Sequence, residues 1–122
     1  KALIPIFFDR AMNDEMIDIF VPPQTLLYFI YINDVVDLFC RLTKKSYQAG
    51  LYNLSSGMPI TILELATKIL DICNSSSRIF CSNNDEAQVF EISTSKLKSE
   101  FRWEAKSPID YILSEYHRSL IA

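Results

Sequence analysis

The side chains that could carry acid–base or nucleophilic chemistry are few in this sequence and poorly placed for it. His117 is the only histidine, and a general base needs a positioned partner. Its neighbours Glu115 and Arg118 do not share its face of a helix. The serines form no nucleophile motif with a histidine. We therefore predict that His117 is a solvated surface residue and that this chain has no catalytic residue of its own.

The carboxylates and cysteines also favour structural roles. Four carboxylates cluster early in the chain, where we predict the polar face of a helix and a strand rather than an acid–base pair; they are Asp9, Asp14, Glu15 and Asp18. The three cysteines, Cys40, Cys73 and Cys81, form no C-x-x-C pair. Because free cysteine is among the most buried residue types, we predict buried thiols and no metal site.

Length and charge limit the class of protein. The chain has 122 residues, 49% of them hydrophobic, which predicts one domain over residues 1–122. Its net charge is −3, whereas a dedicated nucleic-acid binder usually has a strong basic excess. We therefore expect no nucleic-acid partner.

Glycine is scarce, and this excludes a common kind of nucleotide site. The chain has two glycines, Gly50 and Gly57, whereas the dinucleotide and P-loop motifs each need several glycines in one turn. The sequence therefore predicts that this chain alone binds no nucleotide by either motif.

Targeting signals are weak. Apolar runs such as Leu26 to Ile32 are far shorter than the roughly 20 residues that span a membrane. The first residues lack a full hydrophobic signal core and a cleavage site. These features predict no membrane partner and a reducing cytoplasmic location.

Apolar spacing predicts five helices and five short strands, a mixed α/β fold. The helices are expected near residues 4–12, 34–45, 61–73, 93–101 and 107–120. The strands are expected at Met16–Val21, Leu26–Ile32, Leu51–Leu54, Arg78–Cys81 and Gln88–Ile92. Aromatic and β-branched residues predict that the second strand is covered on both faces.

Capping residues indicate where several helices begin. Asn33 or Asp34 is expected to cap the second helix, and Ser93 or Ser95 the fourth. Thr61 and Glu64 form a capping box at the start of the third helix. Phe101 and Trp103 are predicted to be apolar packing.

Four motifs in order resemble the extended short-chain dehydrogenases, the NAD-dependent epimerase/dehydratase family that acts on sugar nucleotides. Residues 29–36, F-I-Y-I-N-D-V-V, resemble the family's F-I-Y-V-D-D-V segment. Residues 50–57, G-L-Y-N-L-S-S-G, resemble G-x-Y-N-x-G-x-G. The third motif is T-I-L-E-L-A at residues 61–66, which matches the family's S-x-x-E-L-A. The fourth has two parts, T-S-K at residues 94–96 and F-R-W at residues 101–103, and resembles the family's D-x-S-K … L-G-W.

The resemblance implies the C-terminal, substrate-binding portion of such an enzyme, a substrate subdomain of an extended Rossmann-type fold. The family's Gly-rich NAD turn and its Tyr-x-x-x-Lys pair lie in the N-terminal half, and no Tyr here is followed four residues later by Lys. The resemblance thus implies NAD or NADP in the longer enzyme, none bound by this chain alone, and a nucleotide-sugar substrate.

The departures from the family concern the phosphate-binding residues. Leu27 and Tyr28 occupy the positions of an Arg-Asp pair whose Arg grips the substrate diphosphate, and a second phosphate-binding Arg aligns near Asn83. Arg102 replaces the Gly of L-G-W. The resemblance places substrate contacts at Leu27, Tyr28, Arg78 and Asn83. Among these, Arg78 is the one cation that could hold a phosphate.

Two functions of different classes remain open. The first is the substrate-binding region of a sugar-nucleotide epimerase, dehydratase or reductase. The alternative is a diverged non-catalytic domain of the same fold that acts as an interaction or ligand-binding module. We also expect a homodimer, formed through an unpaired edge at Leu51–Leu54 or an exposed face at Phe7 and Phe8.

Overall fold

A computed structural model describes residues 2–47 and 49–122, which form helices and short strands of a mixed α/β fold. In chain order these are α1 (Leu3–Met12), β1 (Ile17–Ile19), β2 (Leu26–Tyr28), α2 (Ile32–Leu42), β3 (Pro59–Thr61), α3 (Ile62–Cys73), β4 (Ile79–Cys81), α4 (Ser95–Phe101) and α5 (Ile109–Ile121). The predicted fold class and five helices are confirmed. Within the described residues, no helix has the length and apolar character needed to cross a membrane.

The chain divides into two compact units. The first comprises residues 2–27, 60–89 and 110–122, and the second residues 28–47, 49–59 and 90–109. At the centre of the first unit, β1 and β4 pair in parallel, with Ile17 opposite Ile79. Ile17 and Ile19 are buried and Asp18 between them is half-buried, because successive side chains of a strand point to opposite faces.

Three helices complete the first unit. α1 packs against α3 and β1 and buries Phe7 and Phe8. The ring of Phe8 lies 5.2 Å from that of Tyr116 in α5, centroid to centroid. The predicted exposed face at Phe7 and Phe8 is therefore wrong, because α3 offers an apolar face that covers it.

That apolar face of α3 forms as the sequence predicts. Leu65, Ala66 and Ile69 are buried along it. The Thr61 hydroxyl accepts a hydrogen bond from the Glu64 backbone N–H at 3.1 Å, so the predicted threonine cap is confirmed. The preceding β3 was not predicted; it pairs with β2 in a second two-stranded sheet.

The second strand is shorter than predicted and α2 starts earlier. β2 covers Leu26–Tyr28 and all three residues are half-buried, so the prediction of a strand to Ile32 covered on both faces is wrong. The N-cap of α2 is Tyr31, not Asn33 or Asp34. The Asp34 carboxylate instead accepts the backbone N–H groups of Lys106 and Ser107, at 3.2 and 3.0 Å.

The second unit has its own small apolar core. Leu38 of α2, Leu97 of α4 and Trp103 are buried there. Half-buried side chains surround them: Ile30, Leu42, Tyr52, Phe101 and Ala105. The Trp103 indole N–H donates to the Asp37 carboxylate at 3.1 Å. The predicted packing role of Trp103 is confirmed.

Several local predictions in and beside the second unit are wrong. Residues 51–54 and 88–92 are irregular rather than strands, and Leu51 is 88% exposed, so the predicted unpaired strand edge is absent. No strand of the described chain pairs with either segment, and a short apolar run does not stay in strand form without a partner. The N-cap of α4 is Thr94 rather than Ser93 or Ser95.

Candidate functional site

Two of the predicted substrate contacts, Arg78 and Asn83, lie beyond opposite ends of β4. Arg78 immediately precedes the strand and Asn83 follows it by two residues. Five residues of extended chain span roughly 16 Å at about 3.3 Å each. The structure therefore does not bring these two residues together around a single phosphate.

Asn83 lies at the carboxyl edge of the parallel pair. The backbone N–H of Ser82 donates to the Ile19 carbonyl at 3.1 Å, and the Ser82 hydroxyl donates to the same oxygen at 3.3 Å. These bonds hold the start of the loop after β4 against the end of β1. Ligands of open α/β sheets bind outside the carboxyl ends of the strands, so this edge is the candidate substrate surface of the first unit.

An aromatic ring that no sequence motif indicates also belongs to this edge. Phe20 directly follows β1 and is 72% exposed. The sequence predicts both strands but contains no signal for their parallel pairing, and only that pairing places Phe20 and Asn83 at the same edge. An exposed aromatic ring at this edge can stack on a flat ligand ring.

One end of the Asn83 side chain makes a hydrogen bond within its own loop. Its Oδ1 accepts the backbone N–H of Asp85 at 2.8 Å, an Asx-turn. Its Nδ2 group makes no hydrogen bond with any residue that the structure describes. The Nδ2 group is therefore an available donor for a carbonyl or hydroxyl oxygen.

The negative charge at the carboxyl edge repels phosphate. Asp85 and Glu86 follow Asn83, and the sequence has no lysine or arginine between residues 79 and 95 or between 16 and 27. A diphosphate would meet two carboxylates and no cation from these segments. The edge can stack on and hydrogen-bond a neutral ring, but it supplies no charge to hold a phosphate.

Leu27 and Tyr28, the other predicted contacts, are half-buried in β2. The Tyr28 hydroxyl donates to the Phe90 carbonyl at 2.9 Å, so in this structure it holds the chain before α4. Neither residue carries a charge. Arg78 is exposed, and its carbonyl accepts the backbone N–H of Ile17 at 2.9 Å.

A tyrosine and a lysine meet in the second unit, but not in a catalytic arrangement. The Lys96 ammonium lies 4.4 Å from the Tyr52 ring centroid and donates to the Leu51 carbonyl at 2.9 Å. The Tyr52 hydroxyl donates to the Glu100 carboxylate. That hydrogen bond raises the pKa of Tyr52, whereas a proton-transferring tyrosine needs a lowered one. The two motifs that contain Tyr52 and Lys96 thus hold each other in place.

His117 and Cys40 differ from their predicted environments. His117 is half-buried and stacks on Phe8, with ring centroids 5.8 Å apart and 15° between the planes. The prediction of a solvated surface histidine is therefore wrong, because that face of α5 lies against α1. Cys40 is exposed rather than buried, while Cys73 and Cys81 are half-buried. Burial raises the pKa of the Cys73 thiol, which makes it less reactive.

Among the early carboxylates, Asp14 has a structural role, because it holds the residues that follow α3. Asp14 accepts the backbone N–H of Ser76 at 2.9 Å and the hydroxyls of Ser76 and Ser75 at 3.0 and 3.1 Å. The Ser76 bonds, and then that of Ser75, lower the pKa of Asp14. Among residues 2–47 and 49–122, no group of three potential metal ligands occurs.

The described glycines do not fit a dinucleotide. Gly57 adopts a left-handed backbone with φ of 67°, but it leads into β3 rather than into a helix. The dinucleotide motif needs a glycine-rich turn that opens a helix, whose N-terminal N–H groups bind the pyrophosphate. These glycines therefore do not form the pyrophosphate-binding turn of a dinucleotide site.

Comparison with curated proteins gives sugar-nucleotide enzymes, while no family model matches the chain. It is 34% identical to dTDP-4-dehydro-6-deoxyglucose reductase of Escherichia coli over 70 residues, which are 57% of this chain and 22% of that enzyme. It is 30% identical to CDP-abequose synthase of Salmonella muenchen in an alignment of 114 positions that covers 88% of this chain and 38% of that enzyme. The chain thus spans about a fifth to two-fifths of these relatives.

Solved structures give the same fold. One is UDP-glucose 4-epimerase of Thermotoga maritima with UDP-glucose, at TM-score 0.79 and 20% identity. The match covers 99% of this chain and 40% of the epimerase chain. Another is dTDP-glucose 4,6-dehydratase of Bacillus anthracis in complex with NAD, at TM-score 0.74 and 19% identity. The match covers 93% of this chain and 37% of the dehydratase chain. The relatives and structural neighbours are epimerases, dehydratases and related sugar-nucleotide enzymes, which confirms the resemblance that the four motifs indicate.

Proposed function

We propose that this chain is the C-terminal, substrate-side portion of an NAD- or NADP-dependent sugar-nucleotide epimerase, dehydratase or reductase. The identity to CDP-abequose synthase over 88% of the chain is the observation that carries this proposal. Because the chain matches about two-fifths of its neighbours, the proposal assigns NAD binding and the Tyr-x-x-x-Lys pair to a preceding portion. The nicotinamide would accept or donate the hydride there.

The carboxyl edge of β1 and β4 is the part of the substrate surface that this chain would contribute. In the proposal, the ring of Phe20 stacks on a base or a sugar, and Asn83 Nδ2 donates to one of its oxygens. The diphosphate lies away from Asp85 and Glu86 and takes its cations from Arg78 or from the preceding portion. The whole enzyme would be cytoplasmic, and a homodimer would have to form through surfaces other than the two that the sequence predicts.

Calorimetric titration of the full-length protein with CDP-, UDP- and dTDP-glucose tests the proposal. We expect saturable binding of at least one of them. Asn83→Ala should weaken it about fivefold, the equivalent of one neutral hydrogen bond of about 1 kcal/mol.

Arg78→Ala tests the phosphate role: a loss of 1.5–3 kcal/mol, roughly 10- to 150-fold, is expected for a hydrogen bond to a charged group. Lys106→Gln is the control, since it removes an exposed cation of the second unit.

The alternative is a non-catalytic domain that binds a protein or another ligand. The apolar pair Leu27 and Tyr28, with the acidic loop after Asn83, favours it, because both oppose a diphosphate. Absence of binding for all three sugar nucleotides, in a protein that is folded by circular dichroism, would favour this alternative over the enzyme.

A further inference from the structure

The second unit contains a basic cavity of about 480 Å³. Four cations line it: Arg41, Lys44, Lys45 and Arg102. The rings of Tyr47 and Phe101 also line it and meet edge to face, with centroids 4.5 Å apart. The volume lies within the range of small-molecule sites, roughly 300–1,000 Å³.

Three of these four cations have no acidic partner in the described chain. The one carboxylate of the lining, Asp37, is already engaged: it pairs with Arg41 at 3.2 Å and accepts the Trp103 indole N–H at 3.1 Å. Lys44, Lys45 and Arg102 make no ion pair with any described residue. The basic cavity therefore has an uncompensated positive charge.

Helix dipoles reduce this charge but do not cancel it. α2 ends at Leu42 and α4 at Phe101, and each C-terminus carries the equivalent of about half a negative charge. Two such ends offset about one of the three unpaired cations. Stabilising the helix ends thus accounts for only part of the basic lining.

The charges of the chain are also unevenly divided. The second unit has seven basic and five acidic side chains, whereas the first has five basic and ten acidic ones. In a chain of net charge −3, the excess of cations is thus confined to the unit that contains the basic cavity. Such an excess attracts anions to that unit.

Arg102 occupies a strained backbone position. Its φ is 51° and its ψ 40°, the left-handed conformation that favours glycine and costs other residues about 1–2 kcal/mol. The related motif has glycine here, so this chain keeps an arginine where glycine would be easier to accommodate. A left-handed residue commonly ends a helix, usually as glycine or asparagine, and Asn74 ends α3 in this conformation; the unusual feature here is that the residue is an arginine.

We propose that the basic cavity binds a phosphorylated small molecule, with Lys44, Lys45 and Arg102 on its phosphate oxygens and Tyr47 or Phe101 against its organic part. Guanidinium and ammonium groups donate charge-assisted hydrogen bonds to phosphate. This site lies wholly in the second unit, and its existence does not depend on the proposed enzymatic function.

Cys40 provides a local readout because it is exposed and lines the basic cavity. We would alkylate the full-length protein with iodoacetamide at low salt, with and without millimolar pyrophosphate, and follow each cysteine by peptide mass spectrometry. We expect pyrophosphate to slow the alkylation of Cys40 several-fold and to leave Cys73 and Cys81 unchanged. An unchanged rate at Cys40 would overturn the proposal.

Variants identify the residues involved. By calorimetry, Arg102→Gly, which relieves the strain, should weaken pyrophosphate binding at least about tenfold, the equivalent of 1.4 kcal/mol. The double variant Lys44→Gln with Lys45→Gln should weaken pyrophosphate binding further, while Lys106→Gln, which like Arg102→Gly removes one positive charge but lies outside the cavity lining, should not weaken it. Equal losses in all variants, or none, would refute the site. If the native full-length protein binds pyrophosphate at this site but binds no sugar nucleotide, the proposed function is refuted and the site is not.

Discussion

Replacing Arg102 with glycine should make the protein more stable although it removes a large side chain. Arg102 follows α4 as its C-cap in the left-handed conformation, where the β-carbon approaches the following carbonyl oxygen. Its side chain makes no ion pair with the described residues, and its carbonyl accepts the Arg41 guanidinium N–H at 3.4 Å. Glycine keeps that carbonyl and removes the β-carbon.

The expected gain follows from two opposing terms. Relief of the left-handed strain is worth about 1–2 kcal/mol, and the extra chain entropy of unfolded glycine costs roughly 0.5–1 kcal/mol. A net gain of about 0.5–1 kcal/mol in the free energy of unfolding remains. Less repulsion from Lys44 and Lys45, which line the same cavity, adds a few tenths at low salt.

Urea unfolding followed by circular dichroism measures this difference, with Arg102→Ala as the matched control. Alanine removes the same charge but keeps the β-carbon, so it should gain only the electrostatic part. The strain argument requires Arg102→Gly to be more stable than Arg102→Ala. If the two variants unfold at the same urea concentration, the strain at residue 102 does not exceed the entropy cost of glycine, and the predicted gain in stability is wrong.

Two further predictions concern stability. Hydrogen bonds from Ser76 lower the pKa of Asp14 from 3.8, so its stabilising contribution is present above that value and is lost as pH falls through the lower folded-state pKa. The difference in free energy of unfolding between the native protein and Asp14→Asn should therefore shrink as the pH falls below about 3.8, and a difference that stays constant there would contradict the prediction. Leu65 is fully buried in α3, so Leu65→Ala should cost about 2–5 kcal/mol in urea unfolding, whereas Leu51→Ala, at an 88% exposed position, should change stability by no more than about 0.5 kcal/mol.

Local sequence determines the helices well. The helical spacing of Leu65, Ala66 and Ile69, together with the Thr61 cap, predicts α3 almost to the residue, because periodicity and capping act within a few residues of the chain. Helix α1 follows in the same way. The motifs also indicate the family resemblance without any tertiary information.

Pairing and burial between distant residues depend on the tertiary structure. Leu51–Leu54 has the composition of a strand but no partner in the described chain, while Phe7 and Phe8 are buried because a helix more than fifty residues later packs on them. Long-range contacts of this kind leave little trace in local patterns.

The sequence by itself determines the helices and the α/β class, because periodicity and capping act between neighbouring residues. The tertiary structure decides that β1 and β4 are parallel, which places Phe20 at the same edge as Asn83. It also gathers Arg41, Lys44 and Arg102 around one cavity, because α2 and α4 share a core at Leu38 and Leu97. Charges some sixty residues apart in the chain become neighbours only when that core forms.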